Sequence, residues 1–469
     1  MSWTTAWSRA ASTAFVGLLC VMAAVLAGCG ALDVSDPTAI QDEDLANPTG
    51  ADLLRRDAIR QWYISVADGA LASGLLADEF MANTPGFYHQ FNLMNRDELL
   101  DRRQSLRYEQ ETAASGGGSY GQWQGVRRAA TVALPRLRAY SPASVPTAYL
   151  GEVFAVRAFA TLSLAENVCA GFPLHDVADA KLVYGGPLTT DQAFEHAVAD
   201  FDSALSYAAD SARILSLVQV GRARALLGRG LFTEAAAAAA PVPTEFAWQA
   251  EYSVASGVAQ PNPLAFGFVG NVISPGPMSR TVADREGGTG LDFIGANDPR
   301  LGATQIGVGE DGVTGIYRAA KYSSEGAPIV VASGVEARLI EAEAALQLGG
   351  DWLAPLNALR TSCTDAATCP DPAPAGTGGV AGLPPLADPG TPDARIDLLF
   401  RERAFWLFGT GQRLGDLRRL IAQYGRASES VFPTGAYWLG DTYESATSLP
   451  FPAAQEAPYN PAVTGCITR

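Results

Sequence analysis

The chain is poor in every basic side chain except arginine. Among its 469 residues lysine occurs only at Lys181 and Lys321, and histidine only at His89, His175 and His196. The formal net charge is −16 and no basic cluster interrupts it, which argues against nucleic acid or anionic lipid headgroups as partners. Paired C-x-x-C spacing is also missing. With so few histidines nearby, no zinc site is expected, and nothing else in the chain calls for a metal or a cofactor. Beyond the first thirty residues no uninterrupted apolar run is long enough to span a bilayer, so the expected mature chain is a soluble body on a tether.

The first thirty residues differ from the rest. Met1–Arg9 carries one charge, Arg9; an apolar run covers Ala10–Leu26, and Leu26-Ala27-Gly28-Cys29 follows. A short basic start, an apolar stretch and small residues before the cut make a secretory signal. A cysteine directly after the small residues makes it a lipobox, in which the thiol at the new N-terminus receives diacylglycerol. Residues 1–28 are therefore expected to be removed and Cys29 acylated. Gly30, in place of Asp, leaves no inner-membrane retention signal. About 440 residues remain, ample for a large core.

Six cysteines occur. Cys20 leaves with the signal and Cys29 is taken by lipid, so Cys169, Cys363, Cys369 and Cys466 remain. Four cysteines in an exported chain favour disulfides, with three possible connectivities. The short spacing of Cys363 and Cys369 can bring their Cα atoms within disulfide reach, and elimination would then pair Cys169 with Cys466.

Along the mature chain, helical segments alternate with irregular ones, and the fold class is mainly α. Residues 29–50 read as an extended acidic tether, with Pro37 and Pro48 holding it out of helix. Helical periodicity covers Asp52–Ala82, and the segment Asn83–Asn95 (NTPGFYHQFNLMN) is a loop rich in aromatics and amides. Glu152–Glu166 and Thr189–Ala208 are helical; in the second, Phe194, Val198, Phe201 and Leu205 form an i, i+4, i+7, i+11 stripe. Leu215–Ala240 reads as a helical hairpin broken at Gly228-Arg229-Gly230, whose small residues would allow the close approach of tetratricopeptide repeats. From 244 to 332 periodicity disappears and Gly, Pro and Asn become frequent, as in an irregular insertion that carries a specific surface. Helix returns at Ser333–Leu348, closed by Gly349-Gly350. After a Pro/Gly-rich loop at 361–392, Asp393–Phe408 is the clearest amphipathic helix, with Gly409 as its cap; the tail 430–469 is irregular.

Several stretches, in order, resemble the SusD/RagB family. They are the lipobox with its DPT-containing lead-in, GEVFAVRAFATLSLAENVCAGFPL at 151–174, and TTDQAFEHAVADFDSAL at 189–205. GRARALLGRGLFTEAAAAAA at 221–240, Asp298-Pro299-Arg300 and GVEARLIEAEAAL at 334–346 follow. RERAFWLFGTGQRLGDLRRL at 401–420 and LPFPAAQEAPYNP at 449–461 complete the series. One departure is local: where the family usually places an acidic residue before the glycine, this chain has Gly409-Thr410-Gly411. The resemblance implies one domain over 51–469, with tetratricopeptide-like helix pairs at about 51–243 and 333–425 and the ligand surface on the irregular side. It also implies a lipid-anchored protein of the outer membrane, at the cell surface. Such a protein would capture an oligosaccharide or a peptide for a TonB-dependent, SusC-like receptor, and it would not be an enzyme.

The charged residues Arg401, Glu402, Arg403, Arg413, Asp416, Arg418 and Arg419 invite a catalytic role, since two carboxylates could do acid–base work. No nucleophile or metal accompanies them. They are better taken as Arg–carboxylate pairs that fasten a helix to the next turn, with the remaining charges solvated. Glu336, Glu341 and Glu343 fall off an apolar stripe and are expected to face solvent. Sugar rings stack their C–H faces on aromatic rings and need polar partners for their hydroxyls. Phe87, Tyr88, His89, Asn92, Tyr317 and Tyr322 have that mix and are the ligand candidates, whereas Trp123, Trp352 and Trp406 suit core packing. Two rival functions remain: a tetratricopeptide assembly scaffold, which would lack the long insertion, and an exported glycoside hydrolase, which would need two converging carboxylates.

Overall fold

The computed structural model describes residues 42–82, 118–178, 181–255, 261–262, 264–265, 280–308, 313, 315–363, 380, 383–436, 442–443 and 445–467. The first helix, α1 (Pro48–Leu76), starts earlier than periodicity suggests. Pro48 is its first residue, where the missing N–H costs nothing, and the Asn47 side chain accepts from the Gly50 N–H at 2.9 Å. The expected tether thus gives way to helix before residue 50. The helix also stops at Leu76, and Phe80–Ala82 form a strand, β1.

Helices α2 (Gly118–Tyr140), α3 (Ala148–Asn167), α4 (Thr190–Ala208), α5 (Ala212–Gly228), α6 (Phe232–Ala239), α7 (Gly334–Leu348) and α8 (Leu353–Ser362) follow. Local chemistry sets their starts. Thr189 and Gln192 make a reciprocal capping box at α4, and Ser211 and Ser333 cap α5 and α7. Gly349, at φ +74°, ends α7, a left-handed conformation that favours glycine. The stripe on α4 is only half of its inner face: Phe194 and Phe201 are buried, Val198 and Leu205 partly so, and Ala193, Ala197, Ala204 and Ala208 fill the rest.

From α1 to α8 each helix packs on the next, and α1, α3, α5 and α7 also touch one another in series. This is the layering of a helix-pair solenoid, in which alternate helices form a continuous inner wall. The wall is aromatic at its centre. Trp62 of α1 stacks on Phe159 of α3 (5.3 Å), and Phe159 meets Phe201 of α4 edge to face (5.1 Å). Helix α3 is long and apolar enough to cross a membrane, yet it is mostly buried inside the protein, so it is a core helix. A second apolar cluster joins α7 and α8 to α9 (Pro392–Trp406). Helix α10 (Arg413–Ala422) packs on α1 and α3, and two short helices, α11 (Ser428–Val431) and α12 (Ala453–Glu456), lie in the tail. Helix α9 ends at Trp406, so Gly409, at φ +68°, lies beyond its cap. Its second half, from Phe400 onward, is buried on nearly every side, which overrides the amphipathic expectation.

The segment 244–332 is more regular than its composition suggests. It contains β4 (Ala247–Ala250), β5 (Arg280–Val282), β6 (Thr304–Val308) and β7 (Gly315–Arg318), and runs into β8 (Ile329–Ser333). These form two-stranded antiparallel ribbons, β4 with β8, β6 with β7, and β5 with the distant β1. A further hairpin, β2 (His175–Ala178) with β3 (Lys181–Tyr184), follows α3. Strands of three to five residues carry too little alternation to be read locally, and β1–β5 and β4–β8 also pair across long stretches of sequence.

Candidate ligand-binding site

Phe87, Tyr88, His89 and Asn92 lie outside the described residues, as do Cys29 and Cys369. Tyr317, on β7, is half-buried, and its backbone N–H donates to Thr281 Oγ1 at 2.8 Å. Tyr322 corrects an expectation: it is 1% exposed, and its hydroxyl donates to the Gly409 carbonyl at 2.8 Å. A ring locked into the core by its own hydroxyl cannot offer a stacking face to ligand. Trp123, Trp352 and Trp406 are buried, as packing residues should be.

The charged cluster does fasten helices together, and most of its charges are buried with their partners, while Arg401 and Arg418 are half-buried. Arg403 of α9 grips Asp416 of α10 through two hydrogen bonds of 2.8 and 2.9 Å, and Arg419 adds a third at 2.7 Å. Glu402 is 2% exposed and accepts from Arg300 (2.7 Å), Arg360 (2.7 Å) and Trp406 (3.2 Å). Arg413 holds Asp78 with bonds of 2.6 and 2.8 Å, and the Gly409 N–H donates to Glu79 at 2.9 Å. Carboxylates from the turn after α1 therefore meet the turn that carries Thr410. Glu343, expected at the surface, is fully buried and accepts from Arg419 and Tyr424. Glu336 is buried as well, 3.3 Å from Arg224, and Glu341, half-buried, pairs with Arg338 at 2.8 Å. Helical spacing placed these acids off the apolar stripe correctly; what covers that side is α9 and α10, which spacing cannot reveal.

Among the described residues, a pair of open pockets on this frame have volumes of about 570 and 620 Å³. The smaller lies where the ends of α3 and α5 meet α4 and α10. Its walls carry Arg224, Arg229, Arg403, Arg418 and Arg419 against Glu166, Asp191 and Asp416. Most of these already satisfy one another: Arg229 pairs with Asp191 at 3.0 Å, and Arg418 donates to the carbonyls of Ala165 and Glu166. Burial pushes the Glu166 carboxyl up to about 7, despite the Arg224 guanidinium.

The second pocket, of about 620 Å³, has a different character. It lies between the first turns of α2, the β2–β3 hairpin and the tail around α12. Tyr184 and Tyr459 form an offset parallel stack on its rim, ring centroids 5.4 Å apart and planes within 4°. Tyr459 is 68% exposed, so much of its ring is open to solvent. The hairpin register sets Tyr184 opposite His175, whose ring meets it edge-on at 5.0 Å. His175 Nε2 in turn pairs with Glu456 at 2.8 Å, and the Tyr120 hydroxyl donates to the same carboxylate at 3.0 Å. Arg128 and Leu182 complete the wall.

Several further contacts hold the tail in place. Asn460 donates to the Gly185 carbonyl, Leu449 and Val168 form a parallel bridge, and Cys169 and Cys466 form a disulfide with Cα atoms 5.5 Å apart. Cys363 is also disulfide-bonded. Tyr184, Tyr459 and Arg128 were not among the candidates from sequence. They come from three segments separated by up to about 330 residues, and no spacing rule links them.

No family model matches the chain, and no curated protein matches it. Solved structures do. A SusD superfamily protein from Bacteroides thetaiotaomicron is similar over 90% of this chain and 100% of its own, with a TM-score of 0.63 and 15% identity. Surface glycan-binding protein A from the same species matches over 90% and 99%, at TM-score 0.60 and 13% identity. NanU of B. fragilis matches over 92% and 99%, at TM-score 0.55 and 14% identity. The chain has the SusD fold, mainly α.

Proposed function

We propose that this chain is a lipid-anchored member of the SusD/RagB family that captures a glycan at the outer membrane and passes it to a TonB-dependent transporter. The observation that carries the proposal is the pocket beside the Tyr184–Tyr459 stack. An exposed aromatic ring next to a cation and a hydrogen-bonded carboxylate suits a sugar ring, which is apolar on its C–H faces and polar at its edge. The likeness in fold to a surface glycan-binding protein supports it, and the lipobox ending at Cys29 supports the anchor. Binding without turnover is the expected behaviour. Asp416 and Asp191, the acids of the other pocket besides Glu166, are engaged by arginines, and Glu456 is held by Tyr120 and His175.

The test has two parts. The purified protein, screened on a glycan array and then incubated for long periods with the bound glycans, should retain them without new products by mass spectrometry. Efficient cleavage would move the case to a hydrolase, and binding of no glycan would remove the capture role. In cells, Cys29→Ser should release the protein from the membrane fraction. Retention of that variant after detergent-free salt washes would overturn the lipid anchor.

A further inference from the structure

We propose that the pocket at Tyr184 and Tyr459 is a subsite for a sugar that carries a carboxylate, with Arg128 as the group that receives it. This inference rests on the capture role above and names the class of ligand.

It starts from how arginine is treated elsewhere in the chain. Arg55, Arg157, Arg300, Arg403, Arg413 and Arg419, all buried or nearly so, each contact a carboxylate. Arg128 does not. It is half-buried on α2 and lines the pocket, yet has no hydrogen-bond or ion-pair partner among the described residues. Glu456, the acid whose charge reaches it, already has a partner on each oxygen: one accepts from Tyr120 at 3.0 Å and the other pairs with His175 at 2.8 Å. Burial, opposed by the negative field of Tyr120 and Glu456, holds the Arg128 guanidinium below its ordinary range.

A partly desolvated guanidinium without a counterion is costly to maintain and is relieved by an anion. Its planar fork fits a carboxylate through two parallel hydrogen bonds. The rest of the pocket specifies what bears that carboxylate. The exposed ring of Tyr459 suits stacking on an apolar ring face, and neither the Tyr184 nor the Tyr459 hydroxyl has a hydrogen-bond partner among the described residues. An anion lacking a ring would leave the tyrosines unused, and a neutral sugar would leave Arg128 unpaired. At about 620 Å³ the pocket falls within the ~300–1,000 Å³ range of small-ligand sites.

The experiment titrates the full protein with glucuronate and galacturonate and with their neutral counterparts, glucose and galactose, by ligand-observed NMR. The acids should bind about tenfold more tightly or better, as expected for a charge-assisted bidentate contact. Arg128→Gln should bring the acids down to the level of the neutral sugars. Arg128→Lys, which keeps the charge without the fork, should restore only part of the preference. Tyr459→Ala should weaken acid and neutral sugar together. Circular dichroism of each variant confirms that it is folded, and Tyr459→Ala, at an exposed position, keeps the test decisive if Arg128→Gln is not. Equal binding of acids and neutral sugars overturns the inference, as does failure of the acids to bind or an acid preference that survives Arg128→Gln. If glycans from the array bind unaffected by Arg128→Gln and Tyr459→Ala, the subsite is wrong and the capture role stands; if none bind, both fall.

Discussion

At Asp416 two arginines converge inside the protein, Arg403 with two hydrogen bonds and Arg419 with one. Burial alone would push that carboxyl up, but the two guanidiniums outweigh it and hold it down at about 2. Such a group is more expensive to break than to replace: removing one partner strands a buried charge, at a cost of about 3–5 kcal/mol. Asp416→Asn should therefore lose stability of that order in a denaturant titration. A loss under about 1 kcal/mol would mean that the arginines find water or Glu343 instead. The composition of this cluster was legible in RERAFWLFGTGQRLGDLRR, as was its pairing role. Its burial was not, because a helix register states which side a residue is on and leaves open what covers that side.

On α5, Gly221 interrupts a sequence of good helix formers, and helix propensity alone favours alanine there by about 1 kcal/mol. The packing reverses that preference. A Cβ at this position would enter the envelope of the Phe201 ring and lie 2.7 Å from Phe159 Cζ. Both rings are buried and locked edge to face. Gly221→Ala should therefore destabilise by about 1–3 kcal/mol, the usual cost of overpacking, visible as a lower melting temperature. A higher one would show that the rings can shift. The small residues of this helical hairpin suggested close approach from the sequence, whereas the particular rings, one on α3 and one on α4, emerge only from the assembled wall.

Across the whole molecule, buried acids make stability depend on pH in two directions. Burial raises Glu166 to about 7 and Glu79 to about 8, from ordinary values of 4.5. Each binds its proton more tightly folded than unfolded, so the resulting stabilisation is complete below pH 4.5 and is lost as pH rises through about 7 and about 8. Asp416 behaves oppositely. Its contribution is present above pH 3.8 and lost as pH falls toward about 2. Stability should thus be greatest in mildly acidic solution, with a higher melting temperature at about pH 5.5 than at about pH 8.5. Glu166→Gln, which carries no titrating proton, should narrow that difference. Equal melting temperatures at the two pH values would show that the buried acids are not protonated as described.

The sequence by itself determined the helices with strong local signals. Thr189 and Gln192 cap α4, Ser333 and Gly349 bracket α7, and the order of motifs between 151 and 461 already resembled the fold that the structure has. These features depend on residues within a few positions of one another, where propensity, capping and periodicity act. Tertiary structure alone decided the rest. It paired β1 with β5 across some 200 residues, withdrew Tyr322 and Glu343 into the core, and gathered Arg128, Tyr184 and Tyr459 at one pocket. The physical reason is shared. Burial, strand pairing and a binding surface are set by which distant segments come to lie against one another, and that is fixed by the packing of the whole chain.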